Sequence, residues 1–114
     1  MDAHSDPCLV LELDGHHSAV AAQAVAEGAS FRLGKMPSCD FVVDRELTSR
    51  LHARIERHHK DFYLIDESTN GTFVQTEDEQ VTLVHRDRIK LWGAGWISLG
   101  EPLHVGAPIH FRQD

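Results

Sequence analysis

The chain has 114 residues, enough for one domain that buries about two-thirds of its unfolded surface, and this length excludes a second domain. With 41% apolar and 25% charged residues, 8 Gly and 4 Pro, the composition excludes collagenous, low-complexity and disordered chains. The 11 Lys and Arg against 18 Asp and Glu give a net charge of −7, which opposes phosphate backbones and anionic membranes, so neither nucleic acid nor a membrane is the expected partner.

No apolar run approaches the roughly 20 residues of a spanning helix. The start, Met1-Asp2-Ala3-His4-Ser5-Asp6, lacks the basic-then-apolar layout of a signal peptide. A cytoplasmic protein is expected. There, Cys8 and Cys39 stay reduced, and with neither a C-x-x-C spacing nor a disulfide framework they read as packing residues.

Apolar residues recur at period two in short runs separated by Gly, Asp, Asn or Ser, which predicts an all-β chain. Leu9, Leu11 and Leu13 form the first run, and Asp14-Gly15 is a turn signal. Ala19 to Glu27 has helix-forming composition and ends at Gly28, a possible C-cap, yet it is too short for a stable isolated helix and also fits a strand or loop, which is the preferred reading. Further strands are expected near 30–34, 41–43, 52–57, 62–66, 72–75, 81–84, 88–92, 96–99 and 109–112. About ten strands in one domain point to a sandwich.

Around Gly93-Ala94-Gly95 the pattern predicts a hairpin that sets Trp92 opposite Trp96, with both on the face away from Ile89, Leu91, Ile97 and Leu99. That pair either covers a sheet edge or forms an exposed contact patch, for a neighbouring domain or for self-association.

Three loops concentrate hydrogen-bonding residues: Gly34-Lys35 with Pro37-Ser38; Thr48-Ser49-Arg50-Leu51-His52; and Ser68-Thr69-Asn70-Gly71-Thr72. In a sandwich, such loops can cluster at one end. Residues 45 to 60 carry Arg45, Arg50, Arg54, Arg57 and Lys60 against Glu46 and Glu56, which reads as a docking site for an anionic peptide or as the charged outer face of a strand. Ser49 with His52 is the best nucleophile pair. Residues three apart in an extended chain point to opposite faces, and no oxyanion-type glycine loop surrounds the serine, so no enzyme is expected. His16-His17 and His58-His59 read as solvated turn pairs, and no Cys or His spacing matches a zinc site, so neither metal nor cofactor is expected.

The blocks Gly34-Lys35, Cys39-Asp40-Phe41-Val42-Val43, Ser49-Arg50-Leu51-His52-Ala53, Leu64-Ile65-Asp66 and Ser68-Thr69-Asn70-Gly71-Thr72-Phe73-Val74 resemble, in order and spacing, those of a forkhead-associated (FHA) domain. The motif-bearing region is 30–100, within a single domain over 1–114 whose core spans about 8–112. The resemblance implies an eleven-stranded β-sandwich whose loops at one end bind phosphothreonine in partner proteins. It assigns Lys35 and Ser49 to the phosphate and Asn70 to the flanking peptide backbone, with Arg50 and Thr69 beside them. Gly34, His52 and Gly71 become structural residues. A phosphothreonine carries a charge of about −1.5 to −2, so its site needs cations and donors. Lys35, Ser49 and Arg50 supply that set.

Three positions depart from the family pattern. Lys35 stands where Arg is usual, replacing a planar fork by a hydrated point charge that Arg45 or Arg50 would supplement. Gln75 to Gln80 form a longer acidic loop, expected at the opposite end. Arg86-Asp87 replaces a Gly-Asp turn and is expected to alter that turn and not the site. Arg86 to Gly100 is similar to FHA modules attached to bacterial class III adenylate or guanylate cyclases, although the chain contains no cyclase catalytic residues. The expectation is a phosphothreonine reader within a longer signalling protein, its partner another protein or the parent chain. The alternative is phosphate-independent docking or oligomerisation.

Overall fold

The computed structural model describes residues 8–21, of which 16–21 by backbone alone, and residues 30–113. Period-two alternation becomes eleven strands: β1 (Cys8–Leu13), β2 (His16–Ala21), β3 (Phe31–Gly34), β4 (Phe41–Val42), β5 (Ala53–His58), β6 (Asp61–Asp66), β7 (Thr72–Gln75), β8 (Val81–Val84), β9 (Arg88–Leu91), β10 (Ala94–Leu99) and β11 (Ile109–Gln113). They form a six-stranded sheet in the order β2-β1-β11-β10-β7-β8 and a five-stranded sheet in the order β4-β3-β5-β6-β9. Only the β3–β4 pair, among those described, is parallel. The described residues include no helix long and apolar enough to cross a membrane.

In the strands that supply the core, one parity faces the space between the sheets. Leu9 and Leu11, Ala53 and Ile55, Phe62 and Leu64, Ile97 and Leu99, and Ile109 and Phe111 are buried there with Leu33, Phe41, Val74 and Leu91. The alternating partners, such as Arg54 and Glu56, lie on the outer face, as the strand reading of that charged stretch predicts. Both Asp14 and Gly15 have positive φ, 50° and 82°, the conformation of a two-residue hairpin turn whose twist matches its strands.

Two expectations change and one is met in part. β2 takes up His16-His17, which open a strand and do not form a turn. It also contains Ala19 to Ala21, so the start of the ambiguous segment is strand, while its remainder to Glu27 lies outside the described residues. The Trp92/Trp96 hairpin does not form: β9 pairs with β6 in one sheet, and β10 pairs with β7 and β11 in the other. The chain crosses the sandwich at Trp92-Gly93, so β9 completes the edge of β6 and Leu91 enters the core opposite Phe62. Both tryptophans do lie away from the buried aliphatics, about 40% exposed.

Candidate functional site

Strand direction brings four connections to one end. β3 ends there at Gly34, β5 begins there at Ala53, β6 ends at Asp66, β7 begins at Thr72, β8 ends at Val84 and β9 begins at Arg88. The loops 35–40, 43–52, 67–71 and 85–87 therefore share that end, with 100–108 behind them. Loop 76–80 emerges at the other end, where the Glu77 carboxylate accepts the Ala94 N–H at 3.3 Å.

The first two loops are sewn together by backbone. Lys35 N–H donates to the Ser49 carbonyl at 3.0 Å and Met36 N–H to the Arg50 carbonyl at 3.1 Å. The Cys39 thiol donates to that same Arg50 carbonyl at 3.4 Å, and burial pushes its pKa up, so Cys39 packs as an unreactive thiol. Such contact requires a glycine at 34, because a Cβ there would stand 2.3 Å from the Arg50 carbonyl oxygen.

The third loop is joined to the second through His52, which is fully buried. Its Nδ1 accepts the Ser49 backbone N–H at 2.9 Å, so Nε2 carries the ring proton and donates to the Gly71 carbonyl at 2.8 Å. Burial pushes the His52 pKa down, although the Gly71 carbonyl and the Asp66 carboxylate pull the other way. Two contacts nearer the surface complete the junction. Ser49 Oγ accepts the Thr69 N–H at 3.2 Å, and Asn70 Nδ2 donates to the Leu47 carbonyl at 3.2 Å.

Lys35, Ser49, Arg50, Thr69 and Asn70 thus converge on one surface, with Gly34, His52 and Gly71 beneath it. Ser49 Oγ uses a lone pair on Thr69 and keeps its own hydroxyl proton for a further acceptor. Neither Lys35 nor Arg50 has a side-chain hydrogen bond or ion pair among the described residues. Three others of the positive stretch are engaged, Arg45 with Glu101 at 2.7 Å, Arg54 with Glu56 and Glu67, and Arg57 with the His59 carbonyl, while Lys60 lies in the β5–β6 turn at the opposite end. Arg45 is therefore committed elsewhere, and Lys35 and Arg50 remain for an anion.

Asp66, which the sequence reading quoted in a motif block without giving it a role, holds the site loops from beneath. Its carboxylate is buried and accepts four bonds: Ser68 Oγ and Thr72 Oγ1 on one oxygen, both at 2.7 Å, and the Ser68 and Arg86 N–H groups on the other, at 3.2 and 2.9 Å. Burial opposes its ionisation, but the Arg86, Ser68 and Thr72 donors outweigh that and hold its pKa below the usual carboxylate range. Its parity was the available signal: position 66 continues Phe62 and Leu64, so an acid there faces the core and must find donors.

Arg86 also does more than expected. Its φ of 55° shows the altered turn, and its Nε donates to the Ser68 carbonyl at 3.1 Å, so the side chain braces the base of the site loop. An open cleft of about 510 Å³ beside it, lined by Arg54, Glu67, Arg86 and Arg88, lies outside the convergent set.

Comparison with known proteins bears on both fold and family. No curated protein matches the sequence. Among solved structures, the chain is similar to the first FHA domain of Rv1747 from Mycobacterium tuberculosis, with 20% identity, TM-score 0.73, and coverage of 96% of this chain and 98% of that one. It is likewise similar to an FHA domain of an Arabidopsis thaliana hypothetical protein, with 19% identity, TM-score 0.68, and coverage of 96% and 86%. The MEK1 FHA domain, solved in complex with a phosphothreonine peptide of HOP1, shares 16% identity at TM-score 0.66, with coverage of 91% and 94%. At these identities the likeness is one of fold. The sequence itself matches the FHA domain model over residues 31–92, more than half of the chain. Those residues hold the three sewn loops and the His52 and Asp66 networks beneath them, and the chain belongs to the forkhead-associated (FHA) domain family.

Proposed function

We propose that this domain is a phosphothreonine-dependent peptide-binding module. Lys35, Ser49 and Arg50 take the phosphate, Asn70 holds the peptide backbone beside the modified residue, and Thr69 supports both. One observation carries the reading: two cations and a serine hydroxyl proton without a partner among the described residues stand on loops tied by backbone bonds. Prepaid loop ordering favours the binding of a charged group. A relative of the same fold solved with a phosphothreonine peptide supports it further.

Catalysis is not part of the proposal. Ser49 and His52 meet through the Ser49 backbone N–H and not its hydroxyl, and both ring nitrogens are committed to backbone groups. The phosphorylated segment belongs to another protein or to a longer parent chain in a signalling pathway. Lys35 in place of Arg and the exposed Trp92 and Trp96 favour the second reading, phosphate-independent docking or oligomerisation.

Calorimetric titration with degenerate phosphothreonine, phosphoserine and unphosphorylated peptide pools at one salt concentration separates the two. Heat from the phosphothreonine pool alone is the expected result. Equal binding of the unphosphorylated pool would replace the reading with the second.

A further inference from the structure

The outer face of the six-stranded sheet carries an aromatic ridge apart from the loops just described. Trp96 on β10 and His110 on β11 are register partners, and their rings meet edge to face with centroids 4.8 Å apart. Trp96 is still 41% exposed, a large apolar surface left in water.

Two grooves share this pair as a wall, one of about 310 Å³ and one of about 530 Å³. Every formally charged residue lining them is acidic: Glu77 and Glu79 in the first, Glu12 and Asp14 in the second. Arg112 is on the same face, opposite Ala94, and lines neither groove. An indole with carboxylates on both sides suits an ammonium or guanidinium group, because the ring quadrupole attracts the cation and the carboxylates supply its counter-charge. An acidic partner would meet repulsion from this rim and from a molecule of net charge −7.

We propose that this face is a second docking surface, for an extended basic peptide segment that lays an arginine or lysine side chain against Trp96 with its neighbours in the two grooves. The inference is independent of the phosphopeptide reading. It uses none of Lys35, Ser49, Arg50, Thr69 or Asn70.

The test uses the whole chain and blocked peptides of equal length, an arginine–alanine repeat and a glutamate–alanine repeat, titrated by calorimetry at low and physiological salt. The arginine peptide binds, and in a Trp92→Phe background it changes the remaining tryptophan fluorescence. Trp96→Ala weakens binding about fivefold or more, Trp96→Phe less because a phenyl ring retains part of the cation–π attraction. The Glu77→Gln, Glu79→Gln double variant also weakens it, and Ser49→Ala leaves it unchanged. Undiminished binding to Trp96→Ala would overturn the proposal by reducing the attraction to net charge. Equal binding of the glutamate peptide would also overturn it. So would self-association in sedimentation that Trp96→Ala removes, which assigns the ridge to a second copy of the chain.

Discussion

The Ser49 backbone N–H points at Nδ1 of His52, 2.9 Å away. An imidazolium carries a proton on both nitrogens, so protonating His52 would set donor against donor at this contact. The ring is held neutral by its place in the fold, and the loops above it depend on that.

A pH dependence of stability follows. The folded pKa of His52 is depressed below the ordinary value of 6.5, so between the two values the unfolded chain binds the extra proton. Stability is complete above about pH 6.5 and falls as pH drops through it, by up to about 1.4 kcal/mol per pH unit until the folded pKa is reached. Urea denaturation across the range from neutral to mildly acidic pH measures this. In His52→Gln the slope should flatten over that range, and an unchanged slope would remove His52 as its cause.

Asp66 governs a second, more acidic window. Its folded pKa is below the ordinary 3.8, so its contribution is present above that value and lost as pH falls through the folded pKa. Asp66→Asn removes the charge and turns one oxygen into a donor facing donors, at a cost of about 2–3 kcal/mol. The midpoint of denaturant unfolding at neutral pH reads this directly. Phosphopeptide affinity should fall with it, because Ser68 and Thr72 anchor the ends of the Asn70 loop on that carboxylate.

Gly34→Ala tests close approach without conformational strain. The new methyl would meet the Arg50 carbonyl, a backbone atom that cannot swing aside, and the change should cost about 1–3 kcal/mol as overpacking does. Gly15→Ala is the contrast, since its Cβ meets nothing within 4 Å and only the φ of 82° penalises it, by about 1 kcal/mol. Of the two, only Gly34→Ala should impair phosphopeptide binding.

At the surface, stability and binding should separate. Arg50→Ala removes an exposed side chain with no bond among the described residues, so its unfolding free energy should stay within about 0.5 kcal/mol of the parent while phosphopeptide binding is lost. Ser49→Ala should lose binding as well. Lys35→Arg should tighten binding by about 1 kcal/mol through a gained charged hydrogen bond. Unchanged or weaker calorimetric affinity would place Lys35 away from the phosphate.

The strands were legible in the sequence because their signal is local. Leu9 and Leu11, or Phe62 and Leu64, declare a buried face by spacing alone, and Asp14-Gly15 declares its turn by the φ values those residues tolerate. The loops that meet at one end were legible by motif, as was the need for a glycine at 34. Pairing across the sandwich was not. Leu91-Trp92 and Trp96-Ile97 have the local pattern of a hairpin, yet β9 goes to β6 because an unpaired strand edge and the burial of Leu91 against Phe62 are settled by contacts distant in sequence. The same holds for the polar network under the site. Nothing near Asp66 in the chain names Arg86 as its donor; folding brings the two together because a buried carboxylate left without its donors costs more than the turn that supplies one.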